Sequence, residues 1–79
     1  MPRFFFHLHN DVYVHDEVGT ELPSLTEARA KALSAARGVM ANDLVRDGQI
    51  TLSHRITIEN ATGDQLVELP FRACVEIRA

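Results

Sequence analysis

Between Ser24 and Gly48 the chain reads SLTEARAKALSAARGVMANDLVRDG, and this stretch decides the architecture. At about 100° per residue, Leu25, Ala28, Ala32, Leu33, Ala36, Val39, Met40 and Leu44 fall on one face. Ser24-Leu25-Thr26-Glu27 has the form of a capping box, in which the serine oxygen accepts from the N3 amide and Glu27 reaches back to the serine N–H. Leu22 or Pro23 stands where it can staple onto the first turn, and Asp47-Gly48 supplies a stop. The spacing therefore predicts one helix over residues 25–46. Its apolar stripe is rich in alanine, so the helix can lie close to a sheet. Glu27 and Lys31 make a correctly oriented i,i+4 pair on the outer face. Arg29 falls beside the stripe, where its stem packs and its guanidinium reaches for an acidic partner.

Working outward, the N-terminal side is β. Residues 3–9 alternate: Phe4, Phe6 and Leu8 point one way, and Arg3, Phe5, His7 and His9 point the other. Asn10-Asp11 is a turn signal, and Val12 to His15 form a second short strand. An odd, three-residue loop or a bulge puts Phe4, Phe6, Leu8, Val12 and Val14 on the helix side. It leaves Phe5, His7, His9, Tyr13 and His15 on the other side. An even loop would mix polar and apolar residues on both faces. Gly19, after Asp16-Glu17-Val18, is expected to take a positive φ in a turn.

On the C-terminal side, Ile50, Leu52, His54, Ile56 and Ile58 step by two, which places a third strand over about 54–60, with an earlier start open. Ala61-Thr62-Gly63-Asp64 is a hairpin turn with Gly63 left-handed. Residues 65–71 form the fourth strand with Val67, Leu69 and Phe71 inward, and Pro70 suits an edge or a strand end. The tail alternates like a strand at Ala73, Val75 and Ile77, yet Phe71 and Val75 are spaced like a helical turn. A short helical turn after Pro70 is preferred. The order is β-β-α-β-β with a short C-terminal element: an α+β, two-layer domain spanning residues 1–79, with one amphipathic helix on a mostly antiparallel sheet.

Composition narrows the function classes. Hydrophobic residues make up 46% and charged residues 24%, which are ordinary globular values. A chain this short has few large apolar side chains to spare for an enclosed pocket, so an enzyme is not expected. Eight Lys+Arg against eleven Asp+Glu give a net charge of −3, which counts against binding nucleic acid through its phosphates. One cysteine, Cys74, excludes an intramolecular disulfide. There is no apolar run of signal-peptide length and none near the roughly 20 residues of a membrane span. The expectation is a cytoplasmic protein without membrane association. Asn60-Ala61-Thr62 matches a glycosylation acceptor by chance in that setting.

The opening Met1-Pro2-Arg3-Phe4-Phe5-Phe6-His7-Leu8, the segment Asp16 to Leu25 containing Gly19-Thr20-Glu21-Leu22-Pro23, and the later Leu69-Pro70-Phe71-Arg72 resemble a family of short alphaproteobacterial proteins classed as a domain of unknown function. The likeness spans nearly the whole chain. It implies a bacterial cytoplasmic protein, often encoded in several copies per genome, and it transfers no catalytic residue or ligand. Members of that family commonly have a longer polar loop where this chain has Asn10-Asp11, and His9 and His15 look particular to this sequence. A looser likeness links Leu25-Thr26-Glu27-Ala28 to the helix entry of HicB-type antitoxins.

The residues that carry chemistry are Phe5, His7, His9, Tyr13 and His15, on the sheet face that no layer of the chain covers. Imidazoles two apart on a strand, with a third across the hairpin, are candidate zinc or nickel ligands. A solvated strand face is the commoner explanation, since structural zinc sites supply four defined ligands. Phe5 and Tyr13 could stack on bases, though no RNA-binding glycine-aromatic motif accompanies them. Asp16, Glu17 and Glu21 lack the alternate spacing of a calcium loop and are expected to form a solvated turn. Ser53 and His54 point to opposite faces and cannot act as nucleophile and base. Cys74 is expected to be buried. No catalytic residue and no cofactor are assigned. The expected function is a non-enzymatic module that binds itself or another protein through the hairpin face. A regulatory nucleic-acid-binding or antitoxin-like role stands second, and histidine-mediated metal binding third.

Overall fold

The aromatic alternation at the N-terminus forms strand β1 (Arg3–His9) in the computed structural model, which describes residues 1–79. Phe4 is buried on the helix side, and Phe6 and Leu8 pack against the core. Strand β2 (Tyr13–Val14) runs antiparallel to β1, with Leu8 opposite Val14 and His9 opposite Tyr13. Asn10, Asp11 and Val12 make the connection, the three-residue loop that the segregation of apolar side chains requires. Asn10 Oδ1 accepts from the Val12 N–H at 3.0 Å, closing an Asx turn.

Val14 shares the helix side with Leu8 as expected, yet nothing covers the ribbon there: Val12 and Val14 remain 69% and 51% exposed. Alternation fixes which face a side chain takes, not whether something covers it. The helix packs chiefly on the strands at the far side of the sheet, so β2 lies beyond its reach.

After β2 the chain makes a detour before rejoining β1. A short strand, β3 (Thr20–Glu21), pairs with Arg3 and Phe4. Three residues of β1, Phe5 to His7, thus face the five residues His15 to Gly19, and the edge carries a two-residue bulge. Two paired residues are too few to show alternation, and the sequence reading contains no strand here.

Helix α1 (Leu25–Asp47) buries Ala28, Ala32, Ala36 and Met40, an i,i+4 row of small residues ending in a flexible one. Gly48 ends it in the left-handed conformation (φ 71°), with its N–H donating to Leu44 O at 2.9 Å. The N-terminus departs from the capping box. The Ser24 hydroxyl makes no bond to a helix amide and donates instead to the Glu27 carboxylate. With Glu27 so engaged, Lys31 stands over the Phe6 ring, 5.8 Å from its centroid, rather than pairing with Glu27.

Strand β4 (Arg55–Glu59) lies beside β1, antiparallel and central, with Ile56, Thr57 and Ile58 all buried. The strand does not begin earlier. Ile50 and Leu52 reach the core from an irregular segment that turns where the His54 N–H meets Thr51 O. Strand β5 (Gln65–Pro70) completes the sheet, with a register shift between Ile58 and Glu59. In the β4–β5 turn Gly63 has φ 86°, and Asn60 Oδ1 accepts from the Thr62 and Asp64 amides. Phe71–Ala73 form a short 3-10 turn, so the tail does turn helically after Pro70. Cys74 is buried behind it; its thiol donates to Pro70 O, and Arg37 Nε donates to Cys74 O at 2.8 Å. Burial pushes the Cys74 thiol up, against the opposing charges of Arg37 and Arg29.

The sheet order is β2-β1-β4-β5, with β3 on the same edge of β1 as β2. One helix covers one face, an α+β two-layer fold. Ten buried apolar residues form a single core cluster between the layers. No helix is long and apolar enough to cross a membrane.

Candidate functional site

The face turned away from α1 carries Phe5, His7 and His9 of β1 and Tyr13 of β2, as strand alternation requires. It is not bare. The five bulged residues fold back across it as a strap, and His7, expected in solvent, is 1% exposed. The Asp16 N–H donates to His7 Nδ1 at 3.0 Å. A ring nitrogen that accepts carries no proton, so the neutral ring is assigned the Nε2–H tautomer. That Nε2 lies 3.1 Å from Glu59 Oε1, close to the carboxylate but off the line of a hydrogen bond. The His15 ring stacks on His7 with centroids 4.3 Å apart and planes 14° from parallel.

Asp16 locks the strap. Its Oδ2 accepts from the Phe6 N–H at 3.1 Å, and its Oδ1 accepts from the Val18 and Gly19 amides at 3.1 and 3.0 Å. The Phe6 amide points out of β1 at the bulge, where no strand residue is present to receive it, and the carboxylate takes that place. Burial works to raise the Asp16 carboxyl, but the hydrogen bonds from Gly19, Phe6 and Val18 outweigh it and hold the group below its ordinary value. The acidic turn expected to be merely solvated is thus a structural clasp. Only the half of it within the turn had a local signal: Asp16 stands three residues before a left-handed Gly19.

Phe5 is half-buried against the strap. A Cβ on Gly19 would come 2.9 Å from Phe5 Cε2 and 2.8 Å from Arg3 Cγ, so only glycine allows the approach. Arg3 donates to Val18 O at 2.9 Å and pairs with Glu21 at 3.4 Å. His9 Nε2 and Thr57 Oγ1 share a hydrogen bond of 3.0 Å. Burial, then the charge of Arg55, lower the His9 pKa against Glu68 and Glu59. The Tyr13 ring leans on His9 at 4.7 Å, and its hydroxyl shares a hydrogen bond of 3.0 Å with His15 Nδ1.

The structure therefore brings together all five residues singled out in the sequence but presents few of them. Phe5 and His7 are largely covered, His9 is half-buried, and Tyr13 and His15 are exposed. The histidines do not converge as ligands: His7 Nδ1 and His9 Nε2 are engaged, and no group of three His, Cys, Asp or Glu is arranged to hold a metal ion. Phe5, packed on Gly19, does not offer a free ring beside Tyr13 for base stacking. What lies open is the end of the ribbon, where Val12, Tyr13 and Val14 are each more than half exposed on a strand with a free edge.

No curated protein and no solved structure matches the chain. Residues 3–72 match the family described as "Domain of unknown function (DUF6894)", and the chain belongs to that family.

Proposed function

We propose that this chain is a bacterial cytoplasmic, non-enzymatic interaction module that associates with a second copy of itself through the end of the β1–β2 hairpin. The observation that carries the reading is the run Val12, Tyr13, Val14, exposed at 69%, 52% and 51% along the unpaired edge of β2. Val14 faces the helix side and Tyr13 the opposite side. A partner must therefore cover both sides of the ribbon, and a second ribbon related by a two-fold axis does so with matching surfaces. Strand β2 is only two residues long, so side-chain packing rather than an extended backbone ladder supplies the contact.

Light scattering coupled to size exclusion tests this over a wide concentration range. The mass of the wild-type chain should rise toward that of a dimer, and Val14→Asp should stay monomeric with an unchanged circular dichroism spectrum. A wild-type monomer at every concentration overturns self-association.

A further inference from the structure

We infer that His7 is a proton-operated latch: when its ring takes up a second proton, the His15–Asp16 half of the strap lifts from the second face of β1. The latch lies within one chain and is independent of the self-association reading.

The geometry leaves one place for that proton. The neutral ring carries its hydrogen on Nε2, because Nδ1 accepts from the Asp16 N–H at 3.0 Å. A second proton goes on Nδ1 and sets two N–H donors face to face. The Asp16 N–H then loses its acceptor. The His7 side chain is only 2% exposed, so solvent replaces that acceptor only if the strap moves. The stacked ring adds to the effect. His15 lies 4.3 Å from His7, 14° from parallel, and two such rings repel once both are cations.

The surroundings compensate a charge on His7 without holding the strap. Asp16 and Glu17 of the strap and Glu59 of β4 line a cleft of about 280 Å³ beside the rings, and no lysine or arginine lines it. The β4–β5 turn contributes the uncharged Asn60, and β2 presents the neutral Tyr13 ring 6.1 Å away. The groups that oppose a cation here are imidazoles, His15 on the strap and His9 on β1, and burial lowers the His9 pKa. Helix α1 lies on the other face of the sheet. A small rotation of Glu59 brings its carboxylate onto the Nε2–H, 3.1 Å away, so the imidazolium is retained through Nε2 while it drops the strap through Nδ1. The other half of the strap is fastened separately. The Asp16 carboxylate holds the Val18 and Gly19 amides, and those bonds keep its pKa below the ordinary carboxyl range. Acidification therefore opens the strap in two stages, His7 first and the carboxylate clasp well below it.

The test is 15N–1H NMR of the full chain between about pH 7.5 and 5, the range in which imidazoles titrate. Long-range imidazole spectra should show His7 with its proton on Nε2 at the upper end and a second proton on Nδ1 at the lower. Protection of the Asp16 amide against hydrogen exchange, corrected for the intrinsic rate, should fall with the same midpoint. The fall is limited to about tenfold per pH unit for one proton taken up. The Val18 and Gly19 amides should keep their protection throughout. His7→Asn keeps an acceptor near the Nδ1 position and has nothing to protonate, so its Asp16 protection should be flat. Glu59→Gln, at a partly exposed side chain, removes the compensating carboxylate and should move both midpoints to lower pH; it serves also if His7→Asn does not fold. An Nδ1–H tautomer at neutral pH overturns the proposal. So does constant Asp16 protection in the wild type, loss of Val18 and Gly19 protection in step with Asp16, or midpoints unmoved by Glu59→Gln.

Discussion

The Asp16 carboxylate accepts three backbone amides at once, and one of them, from Phe6, comes from ten residues away. Asp16→Asn places an amide donor where one of these donors must be received. It should cost about 1–3 kcal/mol of unfolding free energy in urea titrations. The sign of its pH dependence follows from the lowered folded value. The contribution is complete above the ordinary carboxyl pKa of about 4 and disappears as pH falls through the lower folded value. The wild-type advantage over Asp16→Asn should therefore be full at neutral pH and close on acidification. His9, also lowered, should titrate by NMR below about 6.5; a value above that contradicts its burial beside Arg55. Its stabilising effect is likewise present above the ordinary histidine pKa and declines as pH drops toward the folded value. The glycines separate two penalties. Gly48 and Gly19 both have positive φ, but an added Cβ meets nothing within 4 Å at Gly48 and three close atoms at Gly19. Gly48→Ala should cost about 1–2 kcal/mol, and Gly19→Ala measurably more, in the same urea experiment. The left-handed turn at Gly19 was legible in the sequence because glycine beside acidic residues is a local signal. The Asp16–Phe6 bond was not, because it depends on a register shift that no local pattern records.

At the scale of elements, segregation of Phe4, Phe6 and Leu8 from Phe5, His7 and His9 was enough to specify the three-residue hairpin loop. The same alternation could not say that α1 leans toward β4 and β5, and so it did not reveal that Val12 and Val14 stay uncovered. The helix stop at Gly48 was readable for the same local reason as Gly19, whereas the choice of Ser24 to donate to Glu27 rather than accept from an amide was not. The candidate site was half legible. Its residues were identified and do cluster, but the strap over His7 arises from the two-residue bulge. The 3-10 turn is held from the helix by Arg37, which donates to Cys74 O. Arg37→Ala should therefore speed iodoacetamide alkylation of Cys74 in the folded chain, read by mass spectrometry. Loss of the cation alone would disfavour the thiolate and slow the reaction. An acceleration thus reports opening of the turn, and a slowing or unchanged rate refutes the clip.

As a whole molecule the chain is a slab of about 40 × 25 × 17 Å with one helix on one side of one sheet. Its ten-residue core is small, and the strap serves to cover the second face of β1 without a second layer. Both edges of the sheet remain open: β2 carries the exposed apolar ribbon end, and β5 borders a groove lined by Arg29, Leu33 and Leu69. The central claim concerns the first of these edges, that Val12, Tyr13 and Val14 meet their counterparts on a second copy. Isotope-filtered NOE spectra of a mixed labelled and unlabelled sample address it directly. Cross-peaks between the Val14 methyls of one copy and the Tyr13 ring of another are the predicted result. Their absence at high concentration, with line widths of a monomer, would contradict the account.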